Sequence, residues 1–579
     1  MEELFNTILQ QADSLLDRVK AYEVKIQALI AQGKPAAAVK TALKVLNWLG
    51  LNFPLKPNKL RILLALIKTK FNLAGKKVED LINLPTLKNS KIVAAGRIMM
   101  IVGSSAYSAA VELIPLITLS GVNLSVKYGN APISTFGYAG LGIILCGVLD
   151  DIDSGYRFGK LALNLIEKLN AKEQKARTMM IFNNFIRHWK EHLQSGLEPL
   201  LAGYQVGLET GDLEFAAYSV YMHCYHSYFL GKELTELEQK MTIYGDTIQN
   251  LGQEAVLRMH RVYHQVVLNL LGQTNHPCFL IGKVYNEQNS LPLLIEQQHR
   301  SALFDLYFHK LMMFYLFGNY VEAFNYAKMT EEYLDSAIAT PSVPIFYFYD
   351  TLSQLARYDQ VDKFEQRKIT KRVNQNIKKL RKWANYAPEN ILHKLHLVLA
   401  ERHRIFGNNS QAIEHYDWAI QLAQKQQYLN EQALAQELAA KFFLAWKNNT
   451  LQHCVRASDT VARFGGDEFA ILLEELENPQ EAIAIAQRIQ SQFIQPIQLN
   501  SEQIKIGTSI GITFSTLGYR QPEDILQDAD TAMYQAKAKG KGTYVVFQLA
   551  NQDSLSSSPI NTNYSNPSRE SKISKYREN

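Results

Sequence analysis

The residues best suited to chemistry in this chain form a short glycine-rich segment near its C-terminal end, RFGGDEF at Arg463–Phe469. Glycine lets a backbone approach a phosphate closely and adopt positive φ, so Gly465 and Gly466 favour a tight β-hairpin that could cradle phosphates. Asp467 and Glu468 follow directly and supply the hard oxygen ligands that Mg²⁺ uses when it also holds substrate phosphates. This segment alone leaves one alternative open, an ordinary glycine-rich turn with two solvated acids.

The neighbouring segments predict the elements that would position this hairpin. Apolar residues on both sides of the glycines favour two strands, and apolar positions at a period of 3.6 predict a helix over 479–493 and another from Pro522. Alternation of apolar and polar residues over 505–513, and the apolar run 543–547, predict two further strands. The expected unit is a small α/β domain built around the hairpin.

These elements resemble the second half of a GGDEF-type diguanylate cyclase domain, over roughly 451–548. Two further segments share in the resemblance, RASD at Arg456–Asp459 and KAKGKG at Lys537–Gly542. The resemblance covers about a sixth of the chain, and five separated elements agree in order and spacing. In that family two GTP molecules, one on each protomer of a dimer, are joined into cyclic di-GMP.

The resemblance implies a role for each matching residue. Catalysis and Mg²⁺ binding would fall to Asp467 and Glu468, GTP binding to Gly465, Gly466, Lys537 and Lys541, and allosteric cyclic di-GMP binding to Arg456 and Asp459. The fork of Arg456 would grip a guanine edge or a phosphate of the bound dinucleotide. The alternative for this RxxD pair is a surface ion pair at a helix end. The family often has arginine in place of Lys541, and lysine gives up bidentate geometry there.

The first half of the family's domain has no counterpart in residues 380–455. That half normally carries an LTGLPNR-like start, a strand with Asp-x-Asp-x-Phe-Lys, the Asn and Asp that recognise guanine, and a GHxxGD turn. The absent strand supplies the second metal carboxylate, and phosphoryl transfer of this kind needs ligands on both sides of the nucleotide. We therefore expect impaired catalysis, with Mg²⁺ as cofactor and a homodimer as the working form only if the site functions.

Residues 1–446 are helical by period almost throughout. Gly33, Gly318 and Gly407 are each followed five residues later by alanine, and small residues at that spacing let antiparallel helices approach closely. This is typical of tetratricopeptide-like repeats, with a generic helical bundle as the alternative. The predicted fold class is mainly α, a tetratricopeptide-like array, followed by a small α/β (ferredoxin- or cyclase-like) truncated GGDEF domain. We expect a junction at 447–450 and a disordered tail over 549–579, which is poor in apolar residues.

A second resemblance covers about 1–446 and concerns the helical region of cyanobacterial multidomain signalling proteins. Those proteins join a Ser/Thr kinase, an AAA-type ATPase and histidine-kinase modules, and the segments that carry the likeness are Tyr128–Pro132, Asp151–Tyr156, Arg187–Glu191 and Leu208–Ala216. The resemblance implies a scaffold with protein partners and brings no catalytic residues. Phosphate-loop and kinase motifs are missing from the sequence, so ATP use is not supported.

Composition and charge exclude other classes. The net charge of +6 is spread along the chain, which argues against a nucleic-acid partner, and the four cysteines are too far apart for a zinc site or a disulfide framework. The apolar stretches Met99–Leu119 and Thr135–Leu149 are interrupted or short of a span, so we expect a cytoplasmic protein without a membrane partner. His260 with His264, and His223 with His226, are spaced to chelate a metal, although partly buried hydrogen bonding is the expected role.

The sequence thus predicts a signalling scaffold with a degenerate GGDEF domain that senses cyclic di-GMP through RxxD. Two alternatives stay open: an active diguanylate cyclase that makes cyclic di-GMP from two GTP, and a gene-fusion product without function.

Overall fold

The computed structural model describes residues 2–297, 299–465, 468–493, 497–499, 502–504, 507–540 and 542–548. The chain divides into two compact units, 1–442 and 443–579. The predicted fold class is confirmed, because the first unit is built from helices and the second adds short strands to its helices.

The helices of the first unit follow one another along the chain, with longer connections after α4, α10 and α14. In chain order they are α1 Glu2–Gln11, α2 Leu15–Ala31, α3 Pro35–Trp48, α4 Lys59–Leu73, α5 Ser90–Ile101, α6 Gly103–Ala109, α7 Ile114–Tyr128, α8 Ser134–Gly147, α9 Ile152–Leu169, α10 Lys175–Ile181, α11 Leu197–Thr210, α12 Leu213–Phe229, α13 Leu234–Asn250, α14 Glu254–Leu270, α15 Glu287–Glu296, α16 Arg300–Leu316, α17 Tyr320–Glu331, α18 Ser342–Ala356, α19 Lys363–Ala384, α20 Pro388–Ile405, α21 Asn409–Lys425 and α22 Leu429–His453. The last of them contains the boundary between the units.

Consecutive helices pack in pairs where the small-residue pattern occurs, as in α2 with α3, α16 with α17 and α20 with α21. Gly318 and Gly407 stand in two of the connections with φ of 79° and 72°, a left-handed backbone that favours glycine. Ala323 and Ala412, five residues further on, are completely buried, so the second helix of each pair can lie close to the first. The tetratricopeptide-like assignment itself stays a prediction.

The two apolar stretches of the sequence lie in helices of this unit, and most of α8 is buried. Among the described residues, every helix falls short of the length and apolarity that crossing a membrane would need. Residues 363–382, a run rich in Lys and Arg, form most of α19.

The second unit contains short strands and two helices, α23 and α24. Its elements are β1 Thr460–Gly465, β2 Glu468–Leu472, α23 Pro479–Phe493, β3 Ile497–Leu499, β4 Glu502–Ile504, β5 Ile510–Ile512, α24 Pro522–Ala538 and β6 Tyr544–Val546. β1 and β2 pair antiparallel, as do β3 and β4, whereas β5 and β6 pair parallel, with α24 between them in sequence.

The strands of this unit form three separate pairs in the described part of the chain. Ile471 of β2 and Ile510 of β5 both pack against an apolar cluster that includes Ile485 and Ile489 of α23, yet β2 and β5 are not paired with each other. Each therefore has one edge without a neighbouring strand among the described residues, and such an edge exposes backbone groups that a further strand could bind.

Close packing of α24 on β5 depends on a glycine. A Cβ atom on Gly511 would lie 2.0 Å from the carbonyl oxygen of Ala529 and 2.4 Å from the amide nitrogen of Met533. Only a residue without a side chain fits there, so the sequence at Gly511 fixes how closely the helix lies over the strand.

Candidate functional site at the glycine-rich hairpin

The predicted hairpin is confirmed for the part of the motif that the structure describes. Val461 faces Ile471 across the ladder, Arg463 faces Phe469 and Gly465 faces Glu468. The register shifts between Arg463 and Gly465, because one strand carries an extra residue there. Two residues of the predicted site, Gly466 and Asp467, lie outside the described residues, as does Lys541.

Glu468 and Phe469 point to opposite faces of the hairpin, since successive side chains of a strand alternate. Phe469 is partly buried against the α23 cluster and fixes the hairpin there. The side chain of Glu468 is exposed. Its carboxylate is therefore open to a cation, and the role that the sequence analysis gives it stays a prediction.

Lys537 lies in the last turn of α24, where a cation is favourable next to the helix dipole. Its Nζ stands 4.9 Å from the ring centroid of Tyr534. Within the described ranges, no carboxylate comes within ion-pair distance of it. The ammonium group is thus available for an anionic ligand, although no hydrogen bond joins it to Glu468 in the described part of the chain.

Asp459 organises the turn before β1. Its Oδ2 accepts the backbone N–H of Arg456 at 2.7 Å, and its Oδ1 accepts the backbone N–H of Glu474 at 3.2 Å. The carboxylate therefore ties the segment after α22 to the residues that follow β2.

The guanidinium of Arg456 has a different partner from the one that the spacing predicts. Its Nη2 donates to Oε2 of Glu481 at 2.9 Å, in the first turn of α23, rather than to Asp459 one turn away. In the described structure the Arg456 side chain thus pairs with Glu481, whereas the two carboxylate oxygens of Asp459 accept backbone N–H groups. The Arg456 side chain remains 56% exposed, and its partner Glu481 is 22% exposed.

An exposed ion pair of this kind contributes about 0–1 kcal/mol, because water and salt screen it and two long side chains must be held in place. A ligand phosphate could replace the Glu481 carboxylate at small cost. The sequence did not indicate a role for Glu481 or for Arg488. Nε of Arg488 donates to the carbonyl oxygen of Cys454 at 3.0 Å. Their partners are 25 and 34 residues away in sequence, so no local spacing signals them.

The paired histidines of the helical unit have structural partners. Nε2 of His260 is hydrogen-bonded to the carbonyl oxygen of Met241 at 2.7 Å, and His264 pairs with Glu238 at 3.1 Å. His223 is bonded to the Leu197 carbonyl oxygen and His226 to the Asn184 side chain. Over the described ranges, no three His, Cys, Asp or Glu side chains are grouped as a metal site would require.

A buried ion cluster joins α20 to the first turns of α22. Nζ of Lys394 lies 2.8 Å from Oε2 of Glu431 and 2.8 Å from the carbonyl oxygen of Asn390, and His393 is hydrogen-bonded to the same carboxylate. Burial would raise the pKa of Glu431, but Lys394 and His393 outweigh it and lower that pKa. Burial lowers the pKa of Lys394. The cluster is enclosed, so its role is to hold the two helices together.

Comparison with known proteins identifies the family that the second unit is similar to. Residues 442–543 match the family model for the GGDEF domain of diguanylate cyclases. The chain is 38% identical over 94 residues to the bifunctional diguanylate cyclase/cyclic di-GMP phosphodiesterase MucR of Pseudomonas aeruginosa, covering 16% of this chain and 14% of that protein. It is 40% identical over 96 residues to the diguanylate cyclase TpbB of the same species, covering 16% and 22%.

One solved structure is also similar to part of this chain. It is an EAL/GGDEF domain protein from M. capsulatus, with 38% identity, 20% of this chain and 73% of that chain covered, and a TM-score of 0.18. The chain thus spans less than a quarter of the length of the curated relatives named above. The chain contains a GGDEF domain, and the matched residues begin inside α22.

Proposed function

We propose that this chain is a signalling scaffold whose second unit binds cyclic di-GMP through Arg456 and Asp459 without joining two GTP by itself. The observation that carries the proposal is the exposed guanidinium of Arg456, whose partner among the described residues is the carboxylate of Glu481, next to an ordered turn. An arginine fork is suited to a phosphate or a guanine edge, and both are parts of cyclic di-GMP. Asp459 would act by holding the backbone at Arg456.

Catalysis is the part of the family's activity that the described residues support least. Residues 380–453 fall mainly in the helices α19 to α22, and over the described ranges β2 and β5 lack the strand that would bring a second carboxylate to the hairpin. Glu468 is the one predicted Mg²⁺ ligand that lies within the described ranges. The other predicted ligand, Asp467, is its neighbour in sequence, so both carboxylates come from one hairpin and leave the opposite side of a bound Mg²⁺ to substrate phosphates and water.

An active diguanylate cyclase is the second candidate. It is favoured by the exposed carboxylate of Glu468, by the family match and by the ammonium group of Lys537, which has no carboxylate within ion-pair distance in the described part of the chain. In that case a strand from another polypeptide would lie between β2 and β5, Mg²⁺ would bind at Asp467 and Glu468, and the working form would be a homodimer. The scaffold role of the helical unit, with protein partners, is the same for both candidates.

Calorimetry with cyclic di-GMP on the purified full chain tests the sensor proposal. The expected result is binding that the Arg456→Ala variant weakens by roughly ten- to a hundredfold, which corresponds to about 1.5–3 kcal/mol for hydrogen bonds to a charged group. Arg520→Ala is the matched control, since Arg520 is an exposed arginine of the same unit. Equal heats for the wild type and Arg456→Ala, or an equal loss in Arg520→Ala, would rule out a site at Arg456.

A further inference from the structure

The helix α4, far from the hairpin in sequence, exposes a continuous row of large apolar side chains. Their exposed fractions are 62% for Leu60, 51% for Leu63, 56% for Leu64, 54% for Ile67 and 81% for Phe71. At 3.6 residues per turn these five positions fall within an arc of about 100°. We call this row the α4 stripe. Isolated exposed apolar residues are ordinary, whereas a contiguous row marks an interaction surface.

The opposite side of α4 is fixed to the rest of the unit, so the helix cannot turn its stripe inward. Asn72 donates to Oδ1 of Asn123 in α7 at 2.7 Å, and Asn123 donates to Oγ1 of Thr69 at 2.9 Å. Leu66 and Leu73 pack against the adjoining apolar core. The stripe is therefore a second apolar face on a helix whose first apolar face is already buried.

Cations flank the α4 stripe on both sides. Arg61 and Lys68 lie about 80–100° to one side of it, and Lys59 and Lys70 lie about 80–100° to the other. All four side chains are exposed. The segment 54–77 has no Asp or Glu, and its basic residues are Lys56, Lys59, Arg61, Lys68, Lys70, Lys76 and Lys77.

We propose that the α4 stripe docks on an anionic lipid surface, with the apolar row inserted at the headgroup level and the flanking cations at the phosphates. An exposed apolar face between rows of Lys and Arg is the pattern of helices that lie in a membrane interface. With 15 residues, α4 is too short to span a bilayer, which needs about 20. The sequence alone suggested no membrane partner, because its apolar stretches were compared only with the length of a spanning helix. A helix that lies on the membrane surface does not need that length.

The charges disfavour the other occupants of such a face. A second copy would bring two basic stripes together without an acidic residue in either segment to neutralise them. A protein that wraps around a basic helix needs access to its whole circumference, and half of α4 is held by α7 and the core. A planar anionic surface requires only the exposed half.

Co-sedimentation of the full chain with lipid vesicles tests the proposal. We expect binding to vesicles of mixed phosphatidylcholine and phosphatidylglycerol, none to pure phosphatidylcholine, and release at about 1 M salt, where charges are screened beyond roughly 3 Å. The Leu64→Gln/Phe71→Gln variant is expected to bind at least tenfold more weakly, because two apolar side chains no longer insert. Replacing the four flanking cations by Gln should weaken binding by several hundredfold, at roughly fivefold for each charge.

Matched variants separate this site from general surface effects. The apolar control, Ile243→Gln, replaces a side chain of α13 that is 62% exposed. The charge control removes four exposed cations of α19 by substituting Gln at Lys363, Arg367, Lys371 and Lys378. Both controls should bind like the wild type. Binding to anionic vesicles that survives Leu64→Gln/Phe71→Gln overturns the proposal. The proposal is also overturned if the chain does not bind the vesicles and instead self-associates in solution through Leu64 and Phe71.

Discussion

The ion pair between Arg456 and Glu481 predicts that removal of the acid strengthens the binding of cyclic di-GMP. Removal of an acid from a binding site usually weakens binding. Because Glu481 occupies the guanidinium at 2.9 Å, cyclic di-GMP must displace this carboxylate before it can bind Arg456. The pair is exposed and contributes at most about 1 kcal/mol. Glu481→Gln removes the competing charge, so we expect the affinity for cyclic di-GMP to rise by up to about fivefold.

The same substitution carries a small cost in stability. Glu481 lies in the first turn of α23, where a negative charge is favourable next to the helix dipole, so the variant should lose roughly 0.3–1 kcal/mol of unfolding free energy. Its Oε1 accepts the backbone N–H of Glu477 at 3.2 Å, and glutamine retains an oxygen for that bond. The fold around the site should therefore persist.

Titration calorimetry of the full chain with cyclic di-GMP measures this effect. Glu477→Gln is the control, because it removes the same charge from an exposed position four residues earlier. A rise in affinity for Glu481→Gln that exceeds the change in Glu477→Gln supports competition at Arg456. A fall in affinity for Glu481→Gln would refute it, since Glu481 would then help to hold the ligand or to position the guanidinium.

Three further predictions concern stability. Lys394→Met leaves the buried Glu431 carboxylate without its cation, so chemical denaturation should show a loss of about 3–5 kcal/mol of unfolding free energy. The added substitution Glu431→Gln should restore part of this stability. No recovery in the double variant would contradict a paired cluster. Gly511→Ala forces α24 away from β5, because the new Cβ would lie 2.0 Å from the Ala529 oxygen. The variant should lose about 1–3 kcal/mol of unfolding free energy and melt at a lower temperature. An unchanged melting temperature would contradict this close packing. Burial lowers the pKa of His260 to about 4, below its unfolded value of about 6.5, so unfolded chains bind a proton that the folded state rejects. Stability should therefore fall as pH drops from about 6.5 to 4, by up to roughly 3 kcal/mol from this residue. His260→Gln should make that slope shallower, while buried histidines such as His309 and His393 keep their share of it. An equal slope in wild type and variant would contradict this account.

The elements whose signals are local could be predicted from the sequence. The helix over 479–493 begins and ends as its apolar period indicates, and the glycine-flanked runs around Gly465 form the expected hairpin. The strand predicted over 505–513 is shorter among the described residues, Ile510–Ile512, because strand length depends on pairing with another segment rather than on alternation alone. The hairpin of β3 and β4 was not predicted.

Features that depend on distant residues could not be predicted. The partner of Arg456 is Glu481, 25 residues away, and the partner of His264 is Glu238, 26 residues away, so helix spacing points to the wrong acceptor or to none. The period of the α4 stripe is present in the sequence, but the same period describes a buried helix face. Only the exposure of Phe71 in the folded chain distinguishes a surface from a core.

The central claim is that the chain binds cyclic di-GMP without making it. Incubation of the purified full chain with GTP and Mg²⁺, followed by chromatography of the nucleotides, tests this most directly. We expect GTP to remain and no cyclic di-GMP to form, while the same preparation binds added cyclic di-GMP in a manner that depends on Arg456. Cyclic di-GMP that forms in the wild type and disappears in Glu468→Gln would contradict the claim.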